Sequence, residues 1–97
     1  IDNVIEGNLK ACLAGKKASG ESFNIAYGGR VFMSDLYQTL ARLLNFNKAP
    51  LYWPDRPGDI KHSNADISKA KKLLNYNPEF SFDDGIKLCV AWYKENL

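Results

Sequence analysis

Two short runs are all that this chain offers a β-sheet. Ser22-Phe23-Asn24-Ile25-Ala26-Tyr27 alternates apolar and polar side chains and then meets Gly28-Gly29, the pattern of a strand ending in a turn. Pro50-Leu51-Tyr52-Trp53 is strand-like and is closed by Pro54. Elsewhere the periodic apolar residues fall at helical spacing. Two strands of this length make a poor sheet unless something else covers or extends them. The expected class is α/β, with about four helices and two or three short strands in one unit over residues 1–97.

Four stretches carry the helical signal. Val4, Ile5, Leu9, Cys12 and Leu13 share one spacing over residues 4–14, and Gly15, Lys16 and Lys17 read as the stop. Met33, Leu36, Leu40, Leu43 and Leu44 line one face over residues 33–45. Asp66 is placed to cap a short helix carrying Ile67, Ala70, Leu73 and Leu74, whose solvated face holds Lys69, Lys71 and Lys72. Ser81 with Asp84 resembles an acidic capping box, opening a last helix with Ile86, Cys89, Val90 and Tyr93 as its buried stripe. Cys12 and Cys89 lie far apart beside apolar neighbours and are expected to be buried free thiols. Ile1 rather than Met opens the chain, and its first helix lacks a capping lead-in, as though cut from a longer protein.

Composition removes whole classes of function. Thirteen basic and eleven acidic residues leave a net +2, too little and too evenly spread to argue for a nucleic acid or an anionic membrane as partner. No run approaches the roughly 18 apolar residues of a membrane span, and no charged-then-apolar leader is present, so the cytoplasm is the expected location. His62 is the only histidine and no cysteine pair has ligand spacing, which excludes a multi-histidine metal site. Neighbours in an extended segment point to opposite sides, so His62, Ser63 and Asp59 cannot form a nucleophile relay. A chain of this length is expected to bury about 60–65% of its unfolded surface.

Residues 55–65 break the pattern: polar, with Pro57 and Gly58, and without periodicity. A loop of this length usually has a function. Within it stands Arg56-Pro57-Gly58-Asp59. A guanidinium offers a planar fork for phosphate oxygens, and a carboxylate three residues on can accept hydrogen bonds from the vicinal hydroxyls of a sugar. Gly58 lets the backbone turn sharply between them. Spacing alone also fits a surface turn in which Arg56 pairs with Asp59 or Asp55.

The stretch Arg56-Pro57-Gly58-Asp59-Ile60-Lys61-His62-Ser63-Asn64-Ala65-Asp66-Ile67-Ser68-Lys69-Ala70 closely resembles a signature segment of bacterial nucleotide-sugar 4-epimerases, in the extended short-chain dehydrogenase/reductase family. Leu73-Leu74-Asn75-Tyr76-Asn77-Pro78 is similar to the Leu-Gly-Tyr-x-Pro turn of that family, and Gly85 through Trp92-Tyr93 to its closing helix. Upstream, Asn24-Ile25-Ala26-Tyr27-Gly28 and Ile1-Asp2-Asn3-Val4 match as well, so the resemblance runs through essentially the whole chain. One departure is Phe32, where many relatives cap the second helix with Ser or Thr.

The resemblance implies a small C-terminal substrate-binding domain, with the Rossmann domain and its NAD absent from these residues. It places Arg56 on the nucleotide diphosphate, Asp59 on the ribose and Ser63 near the sugar. A small residue at Ser63 leaves space for an N-acetyl group, which favours UDP-N-acetylglucosamine as substrate, converted to its C4 epimer through transient oxidation by NAD. No catalytic residue is expected here, because the positions four after each tyrosine hold Val31, Ala41, Arg56, Phe80 and Leu97 instead of lysine. The fragment alone is therefore expected to be inactive, and the full-length protein to be a homodimer. Other nucleotide-sugar enzymes, such as a UDP-glucose 4-epimerase, dehydratase, decarboxylase or reductase, and a non-catalytic interaction module are the alternatives.

Overall fold

The computed structural model describes residues 1–97 and contains helices only: α1 (Asp2–Leu13), a 3-10 turn (Lys16–Ala18), α2 (Met33–Leu44), α3 (Ser68–Leu74) and α4 (Phe82–Asn96). The expected helices are all present. The expected strands are not: residues 22–27 and 50–53 run without a ladder, since no second strand within the chain meets their backbone groups. The α/β expectation is thus corrected to an all-α arrangement in which both strand-like runs lie in non-helical connections.

The core is small and sits on α3. Ile67, Ala70, Leu74 and Tyr76 are buried together, with Ala14, Ala18, Phe23, Ile25 and Ala26 packed against them. Two glycines permit the close approach. A Cβ on Gly7 of α1 would meet Ile25 at 3.0 Å, and one on Gly28 would meet Ile67 Cδ1 at 2.8 Å. Gly28 also holds φ +89°, which a side chain disfavours. Tyr76 donates its hydroxyl to the Ala26 carbonyl at 2.7 Å, fastening residues 22–27 to the turn after α3.

Polar side chains join the remaining elements. Glu6 and Lys10 pair on α1; Lys10 donates to the Asn75 carbonyl at 2.6 Å, and Glu6 accepts from the Asn77 amide at 3.3 Å. Asn3 both donates to the Phe80 carbonyl, at 2.8 Å, and accepts from the Phe80 amide, at 3.1 Å. Lys94 of α4 donates to the Leu43 carbonyl at the end of α2, at 3.0 Å.

Helix ends follow local chemistry. Ser81 accepts from the Asp84 amide at 3.1 Å and donates its hydroxyl to the Asp84 carboxylate at 2.6 Å, so the capping pair is real, with a side-chain bond in place of the usual reciprocal one. Asp66 accepts from the Ser68 amide at 2.9 Å from just ahead of α3. Asn45 and Asn75 close α2 and α3 in the left-handed conformation. α2 begins at Met33 although Phe32 supplies no side-chain cap.

The apolar stripes are far less covered than their spacing implied. On α4 only Val90 is buried, while Cys89 is exposed and Tyr93 is half-exposed; Cys12 is exposed too, so the expectation of buried thiols is corrected. Cys89 borders an open cavity between the start of α1 and α4, which leaves its thiol accessible. The accessible surface is 8368 Å², against about 5,600 Å² for a compact monomer of 10.9 kDa. Burial is therefore only about 47% of the unfolded surface, below the 60–65% expected from length. The radius of gyration, 17.0 Å, agrees, because a compact chain of this length has about 13 Å.

Candidate functional site

Between α2 and α3 the chain makes a long excursion. Asn45 reverses direction, the Phe46 amide returns to the Ala41 carbonyl at 2.8 Å, and the Tyr37 hydroxyl donates to the Lys48 carbonyl. Beyond Lys48 the backbone leaves the body and is exposed through Asn64. Leu51, Tyr52 and Trp53 are each more than 80% exposed, which for three large apolar side chains in sequence marks a surface that other protein normally covers.

At the tip Arg56-Pro57-Gly58-Asp59 forms a β-turn. The Asp59 amide bonds the Arg56 carbonyl at 3.2 Å, Pro57 sets the second position, and Gly58 takes φ +87° at the third, the pattern of a type II turn. The turn sets the Arg56 and Asp59 side chains next to each other. Arg56 Nε donates to Asp59 Oδ2 at 3.2 Å, with both side chains largely in solvent. Lys61 pairs with Asp55 at 2.8 Å behind it. The Arg56–Asp59 ion pair that the spacing allows is thus formed.

Ser63 lies elsewhere. It lines an open cavity of about 470 Å³ with Asn64, Tyr27, Val31, Phe80 and Ser81, and neither Arg56 nor Asp59 borders that space. The cavity forms where the excursion returns between the Gly28-Gly29 turn and the start of α4. Tyr27 and Ser81 were read from the sequence only as the end of a strand-like run and as a helix cap, since they come from separate segments that packing around Ile67 and Tyr76 brings to Ser63 and Asn64. The exit of the excursion is well held. Asn24 Nδ2 donates to the Asp66 carbonyl at 3.3 Å, and the Ser68 amide bonded to the Asp66 carboxylate holds its pKa below the ordinary carboxylate value.

Gly28-Gly29 does not serve as a dinucleotide cradle. Its first glycine is needed for packing against Ile67, and α2 begins only at Met33. The residues present do not fit NAD.

No protein-family model matches the chain. It is 35% identical over its whole length to a UDP-glucuronate 4-epimerase from Thermodesulfobacterium geofontis, covering 29% of that protein. The crystal structure of a UDP-glucose 4-epimerase from Thermotoga maritima with UDP-glucose superposes on 98% of the chain with a TM-score of 0.88 at 34% identity, covering 30% of that chain. The chain matches the C-terminal part of UDP-sugar 4-epimerases. A UDP-glucuronic acid 4-epimerase variant from Bacillus cereus, in complex with a fluorinated UDP-sugar and NAD, agrees: TM-score 0.87, 29% identity, 99% of this chain and 31% of that one. The chain thus spans less than a third of the epimerases it matches. No helix is long and apolar enough to cross a membrane.

Proposed function

We propose that the chain is the substrate-holding portion of an NAD-dependent UDP-sugar 4-epimerase, with Arg56 on the diphosphate, Asp59 on the ribose and Ser63 beside the sugar. The observation that carries this reading is the turn at 56–59, which presents a guanidinium and a carboxylate side by side on an exposed arm. Their mutual pairing is no obstacle. An exposed ion pair is worth about 0–1 kcal/mol, whereas charge-assisted contacts to a bound phosphate are worth about 1.5–3 kcal/mol. A diphosphate can therefore displace Asp59 from Arg56 and leave the carboxylate to the ribose hydroxyls.

NAD, held by the part of the protein outside these residues, supplies the reversible oxidation at the sugar's C4. What these residues contribute is anchorage: the nucleotide is held while the sugar remains free to present either face. The uncovered apolar surface, including Leu51, Tyr52 and Trp53, is where the dinucleotide-binding domain sits. UDP-N-acetylglucosamine is the proposed sugar donor, because Ser63 is small and borders open space. The UDP-glucuronate and UDP-glucose enzymes among the relatives make those two donors the comparison.

In the full-length enzyme, Arg56→Ala should raise KM for the UDP-sugar about ten- to a hundred-fold with kcat little changed. Steady-state kinetics on the three donors checks both parts. An unchanged KM removes Arg56 from the diphosphate, and a higher kcat/KM for UDP-glucose or UDP-glucuronate than for the N-acetyl donor overturns the sugar assignment.

A further inference from the structure

We propose that Tyr37 and Asn24 are positioning residues for the arm that carries Arg56, Asp59 and Ser63. This rests on the reading of those three as substrate contacts. Residues 49–65 make hydrogen bonds only among themselves; none joins them to the helices. The direction of such a segment is set at its ends. At the entrance the Tyr37 hydroxyl, on α2, donates to the Lys48 carbonyl. At the exit the Asn24 amide donates to the Asp66 carbonyl.

Each anchor is itself fixed. Tyr37 stands on a regular helix whose end turns back through Asn45, so the Lys48 carbonyl is brought to its hydroxyl. Asn24 lies between Phe23 and Ile25, both packed against the α3 core, so the backbone that carries its amide is held in place. Asp66 is held on its other side by its bond from Ser68, and the next residue, Ile67, is buried against Gly28. The exit anchor is three residues from Ser63 and seven from Asp59. The turn at 56–59 lies midway, where an angular error at either end grows with distance. Neither Tyr37 nor Asn24 borders the Ser63 cavity, so they act through the backbone they hold.

A structural role and a positioning role have different kinetic signatures. Loss of folded enzyme lowers apparent kcat and leaves KM unchanged, whereas a displaced arm weakens substrate binding and leaves turnover of the bound substrate alone. The experiment uses the full-length enzyme with Tyr37→Phe, which removes one hydroxyl, and Asn24→Asp, which replaces the donating amide by an acceptor of the same shape. Arg56→Ala is measured in parallel. The expected result for each anchor variant is a KM for the UDP-sugar, and a Kd for UDP by calorimetry, raised about three- to ten-fold, with kcat within two-fold of the parent. Should one variant fold poorly, the other gives the same readout. If Arg56→Ala raises KM while both anchor variants leave KM and Kd unchanged, or lower kcat alone, positioning is overturned and the substrate reading stands. If Arg56→Ala leaves KM unchanged, the substrate reading falls, and this proposal falls with it.

Discussion

Tyr76 is the one large side chain that the fold buries completely, and its hydroxyl is used there. Burial raises its pKa above the ordinary 10.0, and the nearby Glu6 carboxylate adds to the shift. An acid whose folded pKa is raised stabilises the fold fully below its unfolded pKa, and that contribution is lost as pH climbs through the folded value. Stability should therefore fall above about pH 10. Tyr76→Phe should cost about 1–3 kcal/mol in urea unfolding, by leaving the Ala26 carbonyl without its partner, and should flatten the alkaline fall. Equal urea midpoints for parent and variant would show the hydroxyl to be idle. At this scale the sequence spoke unevenly. Tyr76 belongs to a recognisable turn, but nothing in its neighbours announces Ala26 as its acceptor. Arg56 and Asp59 were legible as partners of each other or of a ligand, because both readings need the same turn, and that turn is written in Pro57 and Gly58.

Among the elements, the helices could be read because a 3.6-residue stripe and a cap are local signals. Ser81 with Asp84 is bonded as its spacing implied, while Asp66, expected to cap α3, accepts from the Ser68 amide one residue ahead of the N-cap, Ile67. A strand is a relation rather than a segment, which is why residues 22–27 and 50–53 read as strands yet form none here. The turn Lys16–Ala18 is too short to leave a stripe and went unseen. The caps also give the chain its acid sensitivity. Ser81 hydroxyl donation and the bonded Ser68 amide hold the pKa values of Asp84 and Asp66 below the ordinary 3.8. Groups with depressed pKa values stabilise the fold above the unfolded value and lose that contribution as pH drops through the folded one. Thermal midpoints should hold steady down to about pH 5 and fall below about pH 4. Ser81→Ala should lower the midpoint at pH 7 by about 4–8 °C and soften the acid fall, as followed by circular dichroism.

For the molecule as a whole, the surface excess is about 2,800 Å² over a compact chain of the same mass, the size of a large permanent interface. Much of it is apolar: Leu13, Met33, Leu51, Tyr52 and Trp53 are all more than three-quarters exposed, and Ile1, Leu88, Trp92 and Tyr93 border a second open cavity between α1 and α4. Of the two non-helical runs, residues 22–27 are covered from within, by the α3 core, whereas Leu51, Tyr52 and Trp53 are left open by every residue of the chain. These 97 residues expressed alone should bind a hydrophobic dye strongly and self-associate at micromolar concentration. The longer protein proposed to contain them should do neither to that degree. Dye fluorescence and sedimentation velocity on both proteins test this, and a monodisperse, dye-silent fragment would contradict it.

Asn3 imitates one rung of a sheet, giving and taking a hydrogen bond at the single backbone position of Phe80. Through it the foot of α1 is bolted to the doorway of α4. A tilt of the first helix would therefore reach the last through the segment that leads into it, by way of these two hydrogen bonds.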